Sequence, residues 1–399
     1  MLNVAVLTVH SCPLATLGEQ DAGGMNVYVL ALARSIIGSD LSIDIYTRDH
    51  ESCTQKITRI NESLRIIHLR AGQPDLDKYE LLSALPNFIE NLVSFAADES
   101  KIYDVIHSHY WLSGFVGNHL KRIWQVPHIT SFHTLAEVKQ RFMSGTIESA
   151  DRASIEASII SLADGVVAFT THEKEALVNY YGATSEQVFV IPCGVDLELF
   201  KPSEQFEARS QLDFDARPII LFVGRIEPLK GVDLLCKSVA MLKDVDSPRL
   251  IVVGGESERT EMERLDDLVQ ELNLNSNIEF VGPVDHSELP LYYNAADVVA
   301  IPSYYESFGL VAVEALACGT PVIASRVGGL SDIVQSDEVG YLVSCRRPES
   351  FAERLEIVVG NKYLRDSFKD AARASVMHLG WGKVASEIGA LYSSFTKRP

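Results

Sequence analysis

The sequence predicts an α/β protein made of two doubly wound domains, each a parallel sheet covered by helices on both faces. Three observations carry this. Apolar runs of strand length alternate with helical segments along the whole chain, the pattern of parallel sheets buried on both sides. At 399 residues the chain exceeds one ordinary core, and two units of about 180–200 residues each are expected. A turn-rich stretch at 192–202, PCGVDLELFKP, followed by the polar segment 203–217, splits the runs into two series.

Taken in order, the first series places strands at 3–9, 42–46, 64–68, 105–108, 128–132, 165–169 and 188–191. The second places them at 219–223, 249–253, 278–281, 298–301, 321–324 and 340–343. Residues 382–395 should close the chain as a helix. The domains are therefore expected to span 1–196 and 197–381. No short repeat, low-complexity tract or charge block interrupts them.

Acidic residues outnumber basic ones by 54 to 35, for a net charge of −19. A nucleic-acid partner is excluded, because it would need a basic face. An anionic ligand must be met by local Arg and Lys against an unfavourable overall field. The six cysteines (Cys12, Cys53, Cys193, Cys236, Cys318, Cys345) form no C-x-x-C pair, and most fall in apolar stretches. They read as reduced residues of a cytoplasmic protein. No His cluster has metal spacing, so no metal is expected. The amino terminus runs straight into a strand without a basic leader. No apolar run reaches membrane-spanning length. The amphipathic segment 79–97 carries acids rather than Lys or Arg, which disfavours membrane attachment.

The most informative stretch is 306–314, ESFGLVAVE. Glu306 lies just before, and Glu314 well inside, a helix that should open at Phe308–Gly309, continuing through Leu310. Eight residues at ~1.5 Å each span ~12 Å, about the length of a sugar–diphosphate–ribose unit. The helix start between the two acids offers backbone N–H groups and a positive dipole end to a diphosphate. Each Glu can accept hydroxyl hydrogen bonds at one end of such a ligand. The strands at 298–301 and 321–324 flank this unit and put Glu306 at a strand's carboxyl end, where open α/β sheets bind ligands.

Three further features join it. Gly23 and Gly24 follow the first strand and open a helix, where backbone can approach a phosphate closely. They are not part of a G-x-G-x-x-G fingerprint, which the chain lacks. Arg225 and Lys230 place two cations on the strand-to-helix turn after the first strand of the second domain, suited to a diphosphate. His133 stands at the end of the strand at 128–132.

The run PSYYESFGLVAVEALACGTPVIAS resembles the donor-site signature of retaining family 4 glycosyltransferases. These have two Rossmann-like domains facing across a cleft, the GT-B fold. VLTVHSCPLATLGEQDAGGMNVYVLALA, YDVIHSHYWLSGFVGNHL and HTLAEVK are similar to the D-inositol-3-phosphate glycosyltransferases of mycothiol biosynthesis, over essentially the whole chain. The resemblance implies a UDP-sugar as co-substrate and no required cofactor. It implies that Arg225 and Lys230 neutralise the leaving nucleotide and that His133 contacts the transferred sugar. It also implies an acceptor site of His10, Asn26, Lys78, Tyr110, Thr134 and Arg152. Lys78, Tyr110, Thr134 and Arg152 would hold the acceptor's phosphate through charge-assisted hydrogen bonds. The last helix, 382–399, would cross back onto the first domain. Related enzymes are often homodimers. The loop 15–20 lacks the Pro-Gly usual in that family, and 139–147 diverges, both on the acceptor side.

The expected reaction is retaining transfer of a hexosyl or N-acetylhexosaminyl group from a UDP-sugar to a small phosphorylated polyol such as inositol 3-phosphate. Its rivals are a sucrose-phosphate or mannosylfructose-phosphate synthase using fructose 6-phosphate, and a non-hydrolysing UDP-sugar 2-epimerase. A silent carbohydrate-binding protein and an NAD-dependent oxidoreductase stand further off. Nothing resembles a positioned glycosidase acid/nucleophile pair.

Overall fold

The computed structural model describes residues 2–15, 23–36, 41–49, 55–73, 76–142, 150–243, 247–255, 259–334 and 337–396. Residues 2–15, 23–194 and 381–396 belong to one compact unit, and 195–380 form a second.

The first unit is built on strands β1 (Leu2–Leu7), β2 (Leu41–Arg48), β3 (Ile57–Arg59), β4 (Leu64–Leu69), β5 (Val105–His109), β6 (His128–Ser131), β7 (Gly165–Ala168) and β8 (Val188–Val190). They lie in the order β3-β4-β2-β1-β5-β6-β7-β8. All pair in parallel except β3, which runs antiparallel to β4. β1 is central, with Val4 opposite Ile43 on one side and Val105 on the other. Val4, Ala5, Val6 and Leu7 are buried because helices cover both faces, which explains the unbroken apolar runs.

The second unit contains β9 (Ile219–Val223), β10 (Arg249–Val253), β11 (Ile278–Gly282), β12 (Val298–Ile301), β13 (Val322–Ser325) and β14 (Gly340–Val343). Their order, β11-β10-β9-β12-β13-β14, is the doubly wound 3-2-1-4-5-6 arrangement, all parallel. Ile220, Phe222, Val252, Val298, Ala300 and Ile323 pack against helix residues including Leu235, Phe351 and Leu355. Each large side chain buried this way contributes about 1.5–3 kcal/mol.

The doubly wound α/β class expected from the sequence is the one observed. Four strands of the second unit begin and end where the apolar runs do. Departures have local causes. β1 stops at Leu7 because Val9 N–H turns to the Ser113 hydroxyl at 2.9 Å. The antiparallel edge strand β3 was not foreseen. Nor was the helix Gln205–Gln211 inside the polar segment. The helix carrying Glu314 runs Leu310–Ala317, with Gly309 as its N-cap.

The final helix, Trp381–Thr396, belongs to the first unit. Trp381, Val384, Ala385, Ile388, Leu391 and Tyr392 are its buried stripe, at the 3–4 residue spacing of one helix face. Tyr392 Oη meets His107 Nδ1 at 2.7 Å inside the sheet. Cys12, Cys193, Cys236 and Cys318 are free and buried, and Cys345 is free and exposed; Cys53 lies outside the described residues. Among the described residues no helix is long and apolar enough to cross a membrane.

Candidate active site

Strand order reverses between β9 and β12 in the second unit, and between β1 and β5 in the first. A crevice opens at the carboxyl ends of the strands flanking such a reversal, and open α/β sheets bind ligands there. Lys230 and Glu306 follow β9 and β12, and His10 and Tyr110 follow β1 and β5.

In the second unit, the turn after β9 and the segment after β12 are fastened together. Gly231 has φ +72°, and a Cβ there would lie 2.4 Å from the Pro302 carbonyl oxygen. Only glycine allows that approach. Tyr304 N–H donates to the Leu229 carbonyl at 2.8 Å. This docking brings Lys230 Nζ to 2.7 Å from Glu306 Oε2, with both side chains about one-fifth exposed. Arg225 Nη2 lies 3.2 Å from Glu227 Oε1. The Glu306 carbonyl accepts from Gly329 N–H at 3.1 Å. Gly328, at φ +46°, passes so close that a Cβ would sit 1.9 Å from the same oxygen. Phe308 is buried, Gly309 takes the N-cap position at φ +108°, and Leu310 begins the helix. Lys230 and Glu306 thus meet at the carboxyl ends of β9 and β12, with Arg225 on the same turn as Lys230.

Glu314 is different in character. It is buried, and both oxygens are engaged: His286 Nε2 at 2.7 Å from Oε1, and Tyr293 Oη at 2.8 Å from Oε2. Neither partner was identified from the sequence. They stand 28 and 21 residues away, with no short-range spacing to signal the contact.

In the first unit, His10 after β1 stacks on Tyr110 after β5, with ring centroids 4.3 Å apart. The Arg152 guanidinium sits over the Tyr110 ring at 4.9 Å. Arg152 is itself buried, with Nε 2.8 Å from Glu156 Oε1. Its Nη2 donates to the Thr134 carbonyl at 2.8 Å and hydroxyl at 3.0 Å. Glu156 is anchored by Ala136 N–H at 2.9 Å and Tyr181 O–H at 2.6 Å. The Glu156 carboxyl is pushed up by burial, against the pull of Arg152. Burial first, then the charges of Lys78, Arg152 and Arg48, pushes His10 down to about 3. Its Nδ1 is buried with no hydrogen-bond partner among the described residues. The Arg152 guanidinium thus covers one ring, Tyr110, on which a neutral His10 with an unpartnered Nδ1 also packs.

Tyr110 and His133 both have positive φ, +75° and +62°. With ψ at 158°, Tyr110 occupies a region essentially reserved for glycine. Such strain costs about 1–3 kcal/mol and clusters at ligand sites. His133 Nε2 lies 3.1 Å from His109 Nδ1, and its ring packs on Phe169 at 4.9 Å and Tyr28 at 5.3 Å. Burial, then His107 and His10, pushes His133 down to about 3, so it is a neutral hydrogen-bonding group.

Asn26 is buried and turned inward. Its Nδ2 donates to Ser11 Oγ at 2.7 Å and the Cys12 carbonyl at 2.6 Å, while Oδ1 accepts from Gly23 N–H at 3.0 Å. It ties the loop after β1 to the helix Gly24–Ser35, for which Gly23 is the N-cap. Lys78 is half-buried, with its ammonium 5.5 Å from the Tyr79 ring. Arg48, unremarked in the sequence, donates to the Gln73 carbonyl at 2.8 Å. Of the two segments that diverge from the resemblance, 16–20 and 143–147 lie outside the described residues. Among the described residues no group of three or more His, Cys, Asp or Glu side chains could hold a metal ion.

Residues 204–375 match the family described as glycosyl transferases group 1, and residues 22–199 match glycosyltransferase family 4. A protein named D-inositol 3-phosphate glycosyltransferase from Corynebacterium glutamicum (strain R) is 38% identical, over 98% of this chain and 96% of its own. A solved sucrose-phosphate synthase from Thermosynechococcus elongatus superposes with a TM-score of 0.92 at 34% identity, covering 99% of each chain. The Anabaena protein HepE in complex with UDP-glucose shares the fold, at a TM-score of 0.78 and 19% identity.

Proposed function

Since the chain belongs to glycosyltransferase family 4, together with the D-inositol 3-phosphate glycosyltransferases, we propose that it moves a hexosyl or N-acetylhexosaminyl group from a UDP-sugar to a small phosphorylated polyol such as inositol 3-phosphate, with retention. The observation that carries the donor half is the Lys230–Glu306 pair at the strand-order reversal, beside Arg225 and the start of the helix Leu310–Ala317. Lys230 Nζ has three N–H donors, of which Glu306 takes one. The others, with Arg225 and the helix dipole, stabilise charge developing on the diphosphate. Glu306 accepts from sugar hydroxyls, and Glu314 from the ribose. UDP-glucose bound to the HepE fold agrees with this donor class.

The acceptor phosphate sits among Lys78, Arg152, Thr134 and Tyr110, with His10 Nδ1 as a further partner. Asn26 serves by holding the His10–Cys12 loop in place. The anomeric carbon breaks its bond to the diphosphate oxygen while the acceptor hydroxyl adds on the same face. The departing phosphate oxygen takes the hydroxyl proton, giving UDP and the glycosylated acceptor phosphate. Neutral His133 hydrogen-bonds the transferred sugar. Side-chain cations do the charge neutralisation, so this scheme needs no metal.

Sucrose-phosphate-type synthesis is the second reading, favoured by the 34% identity to a sucrose-phosphate synthase. The deciding experiment incubates the enzyme with UDP-glucose or UDP-N-acetylglucosamine and, side by side, inositol 3-phosphate and fructose 6-phosphate. We expect an α-linked inositol phosphate glycoside by NMR. A product only with fructose 6-phosphate would replace the acceptor assignment. Rearrangement of the donor alone would mark an epimerase and refute transfer.

A further inference from the structure

Glu314 is not an isolated carboxylate but the centre of a small cluster in which it is buried and His286 is partly exposed. His286 arrives from the connection after β11, and Tyr293 from the helix Leu289–Ala295. Phe200 is buried beneath both, its ring centroid 5.1 Å from His286 and 5.9 Å from Tyr293. Tyr293 is held from its own backbone as well, since Thr320 Oγ1 donates to its carbonyl at 2.7 Å. Burial, then the Glu314 charge, pushes the Tyr293 hydroxyl well above its ordinary range, so it stays an O–H donor. For His286, burial acts downward, but the Glu314 hydrogen bond and charge, with Asp196, outweigh it and raise the imidazole. Each carboxylate oxygen thus receives one donor from the protein.

A carboxylate offers about four lone-pair sites. With one on each oxygen taken, one on each remains, and the plane of the group can no longer rotate. Vicinal hydroxyls present two donors side by side, which suits two fixed acceptors on a common plane.

We propose that His286 and Tyr293, seated on Phe200, are positioning residues that clamp the Glu314 carboxylate for the 2′- and 3′-hydroxyls of the donor nucleotide, and that this clamp sets ribose-over-deoxyribose selectivity. The inference rests on the reading of Glu314 as the ribose acceptor. A ligand lacking those hydroxyls leaves a buried acceptor pair unmatched, so selectivity depends on the group being unable to swing away.

The test compares UDP with 2′,3′-dideoxy-UDP by calorimetric titration of the intact protein and four variants. The unaltered protein should prefer UDP by about 10–100-fold, as hydrogen bonds to a charged acceptor imply. His286→Ala and Tyr293→Phe should each lower UDP affinity about tenfold and leave dideoxy-UDP binding unchanged, so the ratio collapses. His286→Gln, which keeps an N–H donor, should restore it. A wild-type ratio in both His286→Ala and Tyr293→Phe, while Glu314→Gln erases it, overturns the clamp and leaves the ribose reading standing. Equal weakening of both nucleotides reduces the pair to scaffold and also overturns the clamp. A wild-type ratio in Glu314→Gln refutes the ribose reading itself.

Discussion

Replacing Lys230 with Met separates the electrostatics of transfer from the stability of the fold. The substitution removes an ammonium 2.7 Å from Glu306 Oε2, in a pair whose side chains are 23% and 20% exposed. At that depth an effective dielectric near 20 applies, and a charge pair at ~4 Å is worth about 4 kcal/mol. The leaving diphosphate gains charge only as the glycosidic bond breaks, so roughly 2–4 kcal/mol of that interaction is realised in the transition state. At 1.36 kcal/mol per decade, kcat should fall by about 10²–10³. Folding should hardly notice. A partly exposed ion pair is worth up to about 1 kcal/mol, and in a unit of this size that shifts Tm by about 2–4 °C. The assay is the initial rate of UDP release at saturating donor and acceptor, alongside calorimetric melting. A Lys230→Met protein that melts normally and keeps kcat within about threefold would refute the assignment.

Three other outcomes follow. Gly328→Ala would drive a Cβ to 1.9 Å from the Glu306 carbonyl oxygen at φ +46°; we expect more than about 2 kcal/mol of destabilisation by chemical denaturation, with weakened donor binding, and an unchanged midpoint would contradict it. Glu173 accepts from Phe169 N–H at 2.8 Å, and burial pushes it up to about 7. With the folded value above the unfolded one, its contribution is intact below about pH 4.5 and is lost as pH rises through 7. Glu173→Gln should therefore stabilise the protein by ~2–3 kcal/mol at pH 8 and by almost nothing at pH 4.5; equal effects at both pH values would defeat the argument. Burial pushes His107, His128 and His133 down to about 3. Their contributions are present above the unfolded value near 6.5 and disappear as pH falls, each by about 2 kcal/mol at pH 5. Melting temperature should drop steeply from pH 7 to 5 with proton uptake on unfolding, and a flat profile would count against neutral imidazoles.

Much of the fold was readable because parallel strands buried on both faces leave continuous apolar runs. β9, β10, β12 and β14 match those runs end for end. β3 escaped notice because three residues at a sheet edge, Ile57–Arg59, with one exposed Arg, carry no such run. The helix Gln205–Gln211 buries only Ala208, so its apolar periodicity is nearly silent. In the site, Lys230 and Glu306 were legible through their positions at strand ends. His286 and Tyr293 were not, because a contact between separate connections leaves no trace in local spacing. Asn26 shows the opposite limit: the resemblance implied a ligand contact, and only the geometry reveals that both its amide hydrogens are spent on the loop it holds.

Residues 195–380 leave and re-enter the first unit's chain at one place. Val195 and Gly380 form a parallel bridge, Val195 N–H donates to the Leu379 carbonyl at 2.9 Å, and the Trp381 ring lies flush against Gly194. The second unit is topologically an insertion with zipped ends. A short linker from 194 to 381 would bridge the excision without stretching the host, because Gly194 and Trp381 already touch.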